Sequence, residues 1–490
     1  MAQKTPNIVL ICTDQMRRDC VGAFGNPEIE TPALDTMKRQ GCAFTRAYSA
    51  VPSCIPARAA LLTGLSQEHH GRVGYRDGVR WKYAHTLPGE FSKAGYHTQC
   101  IGKMHVSPAR NLLGFHNVLL NDGYMHHGRA YTENVFDNFC GCNDYLYWLK
   151  REKGVDADII DDGMEVNSWV CRPWLYEEKY HSTNWTVSES IDFLRRRDPD
   201  KPFFLMTSFV APHPPYTPPR YYYDMYIDRP LSDPLMGDWA KQDDAEQNGL
   251  IYNTDRGIIP SQALKRAKAA YYGSITHIDH QILRLIQAVF EYRQLNYTVF
   301  VFLSDHGEML GDHHLFRKFL PYEGSSGVPL LFYDPGDVLG IRKNRSIPAL
   351  AELRDVMPTL LDIAGLPIPE ELDGKSLLPL MRGETGRVRD FLHGEHTGAE
   401  GPDGLGNQFL VTEHDKYIWF SRTGREQYFD LDRDPHELHN AIADPDYQQR
   451  IRQLRSQLVQ ILAGREEGYS DGRRLIPGQK QTPCLTHLLA

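Results

Sequence analysis

Four times in this chain of 490 residues a short run of Ile, Val, Leu and Phe stops abruptly at ionisable side chains. Asn7–Thr13 ends in Asp14-Gln15, Thr98–Gly102 in Lys103-Met104-His105, Phe203–Val210 in Ala211-Pro212-His213, and Thr298–Leu303 in Ser304-Asp305-His306-Gly307-Glu308. Each run is too short for a helix and too apolar for a strand with one wet face, so each reads as a strand buried on both sides of a parallel sheet. Stretches of helical composition lie between them: Thr31 to Gln40, stopped by Gly41; Thr86–Ala94, capped by Gly95; Asn184–Arg197; and the long Ser261–Arg293. This alternation predicts an α/β fold with a large mixed, mainly parallel sheet sandwiched by helices, of the kind that binds ligands beyond the carboxyl ends of its strands. Asp14, Lys103, His105, His213, Asp305 and His306 are then expected along one sheet edge.

Further runs extend the pattern. Cys42–Tyr48 and Val328–Tyr333 read as core strands and Leu353–Ala364 as a helix, followed by a Pro/Gly-rich passage from Leu366 to Gly386. Beyond it, Phe391–Gly394, Gln408–Thr412, Tyr417–Ser421 and Glu426–Leu431 read as short antiparallel strands, with a helix at Tyr447–Ala463. Residues 1–385 are expected to form a catalytic domain and 386–490 a small α+β domain. The polar stretch Arg465–Ala490 should either drape over the main domain or be mobile.

With 41% apolar and 24% charged residues and a formal net charge of −9, the chain reads as a soluble globular protein with no electrostatic footprint for nucleic acid. An anionic substrate must therefore be drawn in by a local cationic pocket. The apolar run Ile8–Cys12 is far shorter than a signal or membrane segment, so the sequence as it stands reads as cytoplasmic, or as periplasmic or secreted had a signal been removed. Nine cysteines at scattered spacings, Cys140-Gly-Cys142 included, suggest free thiols rather than a disulfide framework. No motif speaks to oligomeric state.

The segment Cys54-Ile55-Pro56-Ala57-Arg58 through Leu61-Leu62-Thr63-Gly64 carries the most chemistry. Ser53 precedes the thiol, Pro56 sits in a first turn that tolerates its missing N–H, and Ala57–Leu62 is strongly helical, so Cys54 should open a helix. Unpaired amides and the positive dipole end favour an anion there, and Arg58 adds a permanent charge one turn on. A buried, inert thiol is the bland alternative. A cysteine phosphatase would need Arg six residues after the thiol, where Ala60 stands.

This segment resembles the signature C-x-P-x-R…L-T-G of the formylglycine-dependent sulfatases of the alkaline phosphatase superfamily, in which the Cys is oxidised to formylglycine by a maturation enzyme. Gly102-Lys103-Met104-His105, the P-H-x-P segment around His213, and Ser304–Gly311 continuing to Lys318 match further motifs of that family, and Gln427–Glu437 resembles the element that marks its small C-terminal domain. The resemblance, running from Asn7 to about Gly464, implies that hydrated formylglycine at 54 attacks sulfur with Arg58 holding it, that Lys103 and Lys318 grip sulfate oxygens, that His213 protonates the leaving oxygen, and that His105 deprotonates the second hydroxyl to expel sulfate. Asp14, Gln15, Asp305 and His306, with residue 54, are the implied ligands of one divalent cation. Their mostly oxygen donors suit Ca²⁺ best, with Mg²⁺ and Mn²⁺ as alternatives.

Gln15 and His306 depart from the commoner family pattern of paired Asp and later Asn, and are shared with phosphonate monoester and phosphodiester hydrolases. Those are expected to carry hydroxylated residues where Lys103 and His105 stand, which favours a sulfate ester. An inactive carbohydrate-binding relative would lack part of the catalytic set. Residues His69, His70, Arg72, Tyr75 and Arg76, the Tyr216–Tyr226 segment and the insertion Leu231–Pro260 are the candidate rim for a sulfated sugar or an aryl or steroid sulfate.

Overall fold

The computed structural model describes residues 5–122, 143–240, 251–398 and 406–489; Cys140, Cys142 and part of the 231–260 insertion lie outside them. Eight strands build the main sheet: β1 (Asn7–Asp14), β2 (Gly41–Tyr48), β3 (His97–Gly102), β4 (Asn117–Leu120), β5 (Phe203–Pro212), β6 (Thr298–Ser304), β7 (Leu330–Tyr333) and β8 (Arg345–Glu352). Their order is β4-β3-β5-β1-β6-β7-β2-β8. The four strands expected to end in charge are therefore contiguous at the centre. β1 lies parallel to β5 and β6, with Ile11 opposite both Thr207 and Phe302, and β3 lies parallel to β5. This register brings their carboxyl ends level, and every residue of β1 is buried.

Only β7 runs antiparallel to its neighbours β6 and β2, which makes the sheet mixed. Two strands escaped sequence reading. β4 has four residues, one exposed, and β8 contains Pro348, a residue that argues against a strand unless, as here, the strand lies at an edge.

The longer helices among the described residues are α1 (Pro32–Arg39), α2 (Cys54–Thr63), α3 (Leu87–Lys93), α4 (Asp144–Lys153), α5 (Ser182–Arg196), α6 (Ser261–Glu291), α7 (Val356–Ile363) and α8 (Gln448–Ile461). Alternation along β1 assigns them to two layers. Ile8, Leu10 and Cys12 face a core shared with α2, α3 and α7, whereas Val9 and Ile11 face one shared with α1, α4, α5 and α6. Each such fully buried aliphatic side chain contributes about 1.5–3 kcal/mol. At the end of β3, Gly102 has φ +101°, and a Cβ there would stand 1.8 Å from the Ser208 carbonyl oxygen of β5. Only glycine lets the chain turn there toward Lys103 while β3 stays paired.

A second sheet, in the order β12-β11-β10-β9, comprises β9 (Phe391–His396), β10 (Asn407–Thr412), β11 (Asp415–Phe420) and β12 (Glu426–Asp430), all antiparallel. One face packs on Met309, Leu315, Leu320 and Tyr322 of the main body, the other on α8. The terminal stretch drapes back over the main body: Pro483 accepts hydrogen bonds from the Val73 and Gly74 amides (3.0 and 3.1 Å), and the Leu485 amide donates to Gly71 O (2.8 Å). Among the described residues no helix is long and apolar enough to cross a membrane, and the seven described cysteines are all free.

Candidate active site

Cys54 is the first residue of α2 and fully buried. Pro56 falls within the first turn, where amides have no intrahelical acceptor, so its missing N–H costs nothing. Arg58, one turn on, is also fully buried. Its Nε donates to Asp305 Oδ2 (3.0 Å) and its Nη1 to Lys103 O (2.8 Å) and Ser208 Oγ (3.0 Å), tying the ends of β3, β5 and β6 to α2. Arg58 Nη2 is buried without a hydrogen-bond partner, a donor left for something bound beside Cys54.

Donor atoms of Asp14, Cys54, Asp305 and His306 lie within 4.8 Å of one another, all buried. Cys54 Sγ stands 3.2 Å from His306 Nε2 and 3.6 Å from Asp14 Oδ1, and His306 Nε2 is 3.4 Å from Asp14 Oδ1 and 3.6 Å from Asp305 Oδ1. His306 Nδ1 sits 3.0 Å from Gly307 O. Donation to that carbonyl leaves the Nε2 lone pair facing the carboxylates, the arrangement that orients a metal-binding imidazole. Two buried carboxylates and one imidazole facing inward fit a divalent cation.

The cationic side chains surround this group. Lys103 Nζ is hydrogen-bonded to Asp14 Oδ2. Burial alone would raise the Asp14 carboxyl, but Lys103 foremost, then His213, His306 and Arg58, hold it well below the ordinary range. The Cys54 thiol is raised by burial and Asp14 and lowered by Lys103, Lys318 and His306, with a net lowering. Lys318 Nζ lies 2.7 Å from both Gln15 Oε1 and His213 Nε2. Burial brings its proton affinity down. His213 Nδ1 is 2.7 Å from Pro214 O, so Nδ1 donates and Nε2 accepts from Lys318. Burial and the Lys318 charge push His213 well below its usual range.

His105, two residues after Lys103, has φ +58°. Asp122 fixes this turn by accepting the Met104 and His105 amides (2.7 and 2.8 Å). The His105 ring contacts Tyr75 edge-on, with centroids 6.0 Å apart, and its Nδ1 is buried without a partner.

Gln15 takes a different place from the four clustered donors. Its Oε1 accepts from Lys318, and its Nε2 donates to Glu308, which also accepts the Leu310 (2.9 Å) and Arg317 amides. Glu308, fully buried, thus fixes both Gln15 and the backbone leading to Lys318. It lies inside the Ser304–Gly311 motif, three residues after Asp305, and that position is the only signal the sequence carries for it. Asp122 and Ser208 gave no sequence signal at all.

Of the candidate rim, Arg72 and His70 are buried structural residues, with Arg72 donating to Tyr83 OH (3.0 Å) and Val79 O (3.0 Å) and stacked over Trp81. His69 pairs with Asp373 (2.8 Å), and Tyr75 stands against His105. The Tyr-rich segment turns largely inward: Tyr216, Tyr222 and Tyr226 pack on Tyr271, His277 and Tyr272 of α6, a core role that helical or aromatic composition alone cannot separate from a binding role.

The sulfatase family model matches residues 6–366, and a model for the C-terminal region of N-sulphoglucosamine sulphohydrolase matches residues 311–464. An arylsulfatase of Clostridium perfringens is 56% identical over 96% of this chain and 98% of its own length. Arylsulfatase K of Gallus gallus is 28% identical over 93% of this chain and 82% of its own. Among solved structures, a phosphonate monoester hydrolase of Agrobacterium radiobacter superposes with a TM-score of 0.73 at 26% identity, covering 93% of this chain and 95% of that one. A family match that begins at β1, runs through the Cys54 helix and ends beyond β8 takes in every strand that feeds the buried cluster: this chain belongs to the sulfatase family.

Proposed function

We propose that this protein hydrolyses sulfate monoesters to an alcohol and inorganic sulfate, with residue 54 as the nucleophile after oxidation of the Cys to formylglycine by a maturation enzyme. The observation that carries this is the convergence, at the first turn of α2, of Cys54 with two carboxylates, His306 and the buried cations Arg58, Lys103 and Lys318. A cation held by Asp14, Asp305, His306 and residue 54, with Gln15 nearby, would supply Lewis acidity toward a sulfuryl oxygen; its oxygen-rich set favours Ca²⁺.

Sulfate esters demand neutralisation of the sulfuryl oxygens and a proton for the leaving alkoxide. Lys103 and Lys318 are the charges for the first task, buried where water cannot screen them. We assign His213, neutral at rest, to the second: its Nδ1 donates to Pro214 O, so the proton it gives the leaving oxygen is one taken up from solvent at Nε2, the position 2.7 Å from Lys318, while Lys318 keeps its charge. His105, beside Lys103 and also neutral, is the base for the second hydroxyl of residue 54, whose deprotonation releases sulfate. Arg58 orients Asp305 and offers Nη2 to residue 54. The proposal also places residues 1–385 in the catalytic domain and 386–490 in a smaller one.

The test is turnover of 4-nitrophenyl sulfate beside the matching aryl phosphonate, by protein co-expressed with a formylglycine-forming enzyme, with elemental analysis to name the metal. Sulfate preference that disappears in Cys54→Ala is the expected result; a phosphonate preference would reassign the site to the phosphonate hydrolases.

A further inference from the structure

The last residue of β9 sends toward the site a side chain that the chemistry above leaves idle. His396 is 2% exposed, and neither ring nitrogen has a hydrogen-bond partner. No other histidine among the described residues has both nitrogens buried and unpaired. A buried polar atom that nothing meets carries its full desolvation cost, so an imidazole with two of them calls for a partner that arrives from outside.

Its location says where. The amides on either side are clamped to the main body: Glu395 N donates to Ala50 O (2.8 Å), just before the nucleophile turn, and Thr397 N donates to Val73 O (2.8 Å), in the loop that leads to Tyr75. The ring lies against Phe319, with centroids 4.6 Å apart and planes 34° off parallel. Phe319 directly follows Lys318, donates its amide to Pro52 O (3.0 Å), and receives at its carbonyl the side-chain amide of Asn407 (2.9 Å), the cross-strand partner of His396. The imidazole is thus wedged between the turn before Cys54, the Tyr75 loop and the Lys318 segment.

Its chemistry says what. Burial pushes the ring down to about 3, with His306 and Lys318 adding to the effect, while the Thr397 backbone and Glu395 offset it only in part, from outside hydrogen-bond geometry. A neutral imidazole presents one donor and one acceptor. Sulfuryl oxygens only accept, and Arg58, Lys103 and Lys318 already surround their place. A hydroxyl both donates and accepts, and a hydroxyl beside the esterified oxygen is the group that satisfies the ring.

We propose that His396 is a specificity-determining residue that hydrogen-bonds a hydroxyl neighbouring the sulfated oxygen, so that the preferred substrate is the sulfate ester of a polyhydroxylated, sugar-like alcohol. This rests on the sulfatase reading above and narrows its substrate class.

The test compares kcat/KM for methyl glycoside monosulfates, their deoxy analogues lacking the hydroxyl adjacent to the sulfate, and 4-nitrophenyl sulfate. In the unaltered enzyme, removing that hydroxyl should lower kcat/KM at least tenfold. His396→Phe, which keeps the stack on Phe319, should lose at least tenfold more on the hydroxylated ester than on 4-nitrophenyl sulfate and lose nothing further on the deoxy ester; His396→Gln, with its own donor and acceptor, should restore part of the difference. Equal losses on all three substrates, or no effect of the deoxy change in the unaltered enzyme, would overturn the proposal. Failure of the unaltered enzyme to cleave 4-nitrophenyl sulfate is a separate readout, and it strikes the sulfatase reading itself.

Discussion

Replacing Lys416 by Met should destabilise the protein strongly, and more at pH 8 than at pH 5. Lys416, on β11, is fully buried; its Nζ lies 2.7 Å from Glu323, 2.7 Å from Glu437, and donates to Pro321 O at 2.9 Å. Arg18 takes the other Glu323 oxygen at 2.5 Å. Against the cost of burial, Lys416 and Arg18 hold Glu323 down to about 2, whereas burial, with the Glu323 charge adding and Lys416 opposing, pushes Glu437 up to about 7. Methionine keeps the length and removes the charge, leaving the buried Glu437 and the largely buried Glu323 to one guanidinium. Removing one partner of a buried pair costs roughly 3–5 kcal/mol. The pH dependence follows from linkage. Without Lys416 the Glu437 carboxyl rises further above its unfolded value, so the folded state keeps a proton that the unfolded chain releases, and stability present at low pH is lost as pH rises through the folded value. The deficit should therefore be modest at pH 5 and complete at pH 8. Adding Glu437→Gln leaves the neutral Arg18–Glu323 pair and should recover all but about 1–2 kcal/mol, because neutral replacement of buried ions is far cheaper than orphaning one. Urea unfolding midpoints followed by tryptophan fluorescence at both pH values, with the denaturant slope checked for constancy, measure this. A loss below about 1 kcal/mol at pH 8, the size of a solvent-exposed pair, or a double variant weaker than the single one, would refute the reasoning.

Two other predictions follow from the geometry. If His213 donates the leaving-group proton, His213→Asn should lower kcat/KM by roughly 10²–10⁴ on an alkyl sulfate and far less on 4-nitrophenyl sulfate, whose leaving oxygen needs little help; equal losses would remove His213 from that role. Asp279 of α6 accepts the Ala33 and Leu34 amides of α1 (2.9 and 2.8 Å), and burial, opposed by those bonds, pushes it up to about 7. Its folded value lies above the unfolded one, so it withdraws stability as pH rises from about 4 through 7. Asp279→Asn should flatten that part of the melting-temperature profile, and an unchanged slope would show that another group titrates there.

The parts of the fold legible from sequence were those written locally. Apolar runs ending in Asp14, Lys103, His213 and Asp305 announced strands and their polar edge, because a strand buried on both faces has no other use for charge than at its end. Helix starts and stops were equally local: Gly95 takes φ +88° where the sequence placed its cap. What stayed hidden was set by distant partners. Asp122 matters through the backbone of residues 104 and 105, and Ser208 through Arg58, 150 positions away. The Arg18–Glu323–Lys416–Glu437 cluster joins segments of the main body to the second sheet and the turn after it, each residue alone an ordinary surface charge in the sequence. β8 was masked by Pro348, and the tyrosines after His213 looked like a rim because aromatic composition is the same for a rim and a core.

The C-terminal sheet is more than a neighbour of this site, and the Lys318 segment shows why. Burying an ammonium near Lys103 and Arg317 is unfavourable, and the backbone that delivers it takes positive φ at Leu310, His313, His314, Arg317 and Phe319. Residues held in such conformations cost of order 1 kcal/mol or more each and persist only when their surroundings over-determine them. Here the main body supplies one half of the restraint, through Glu308 on the Leu310 and Arg317 amides and Pro52 O on the Phe319 amide. The second sheet supplies the other. Asn407 holds the Phe319 carbonyl, His396 covers its ring, Gln427 accepts from Tyr322 OH (2.7 Å), and Lys416 holds Pro321 O and Glu323. Lys318 is therefore placed by contacts from both sheets, and any loosening of the second sheet should reach Lys318 before it reaches Cys54, whose helix is packed among α3, α7 and the main sheet.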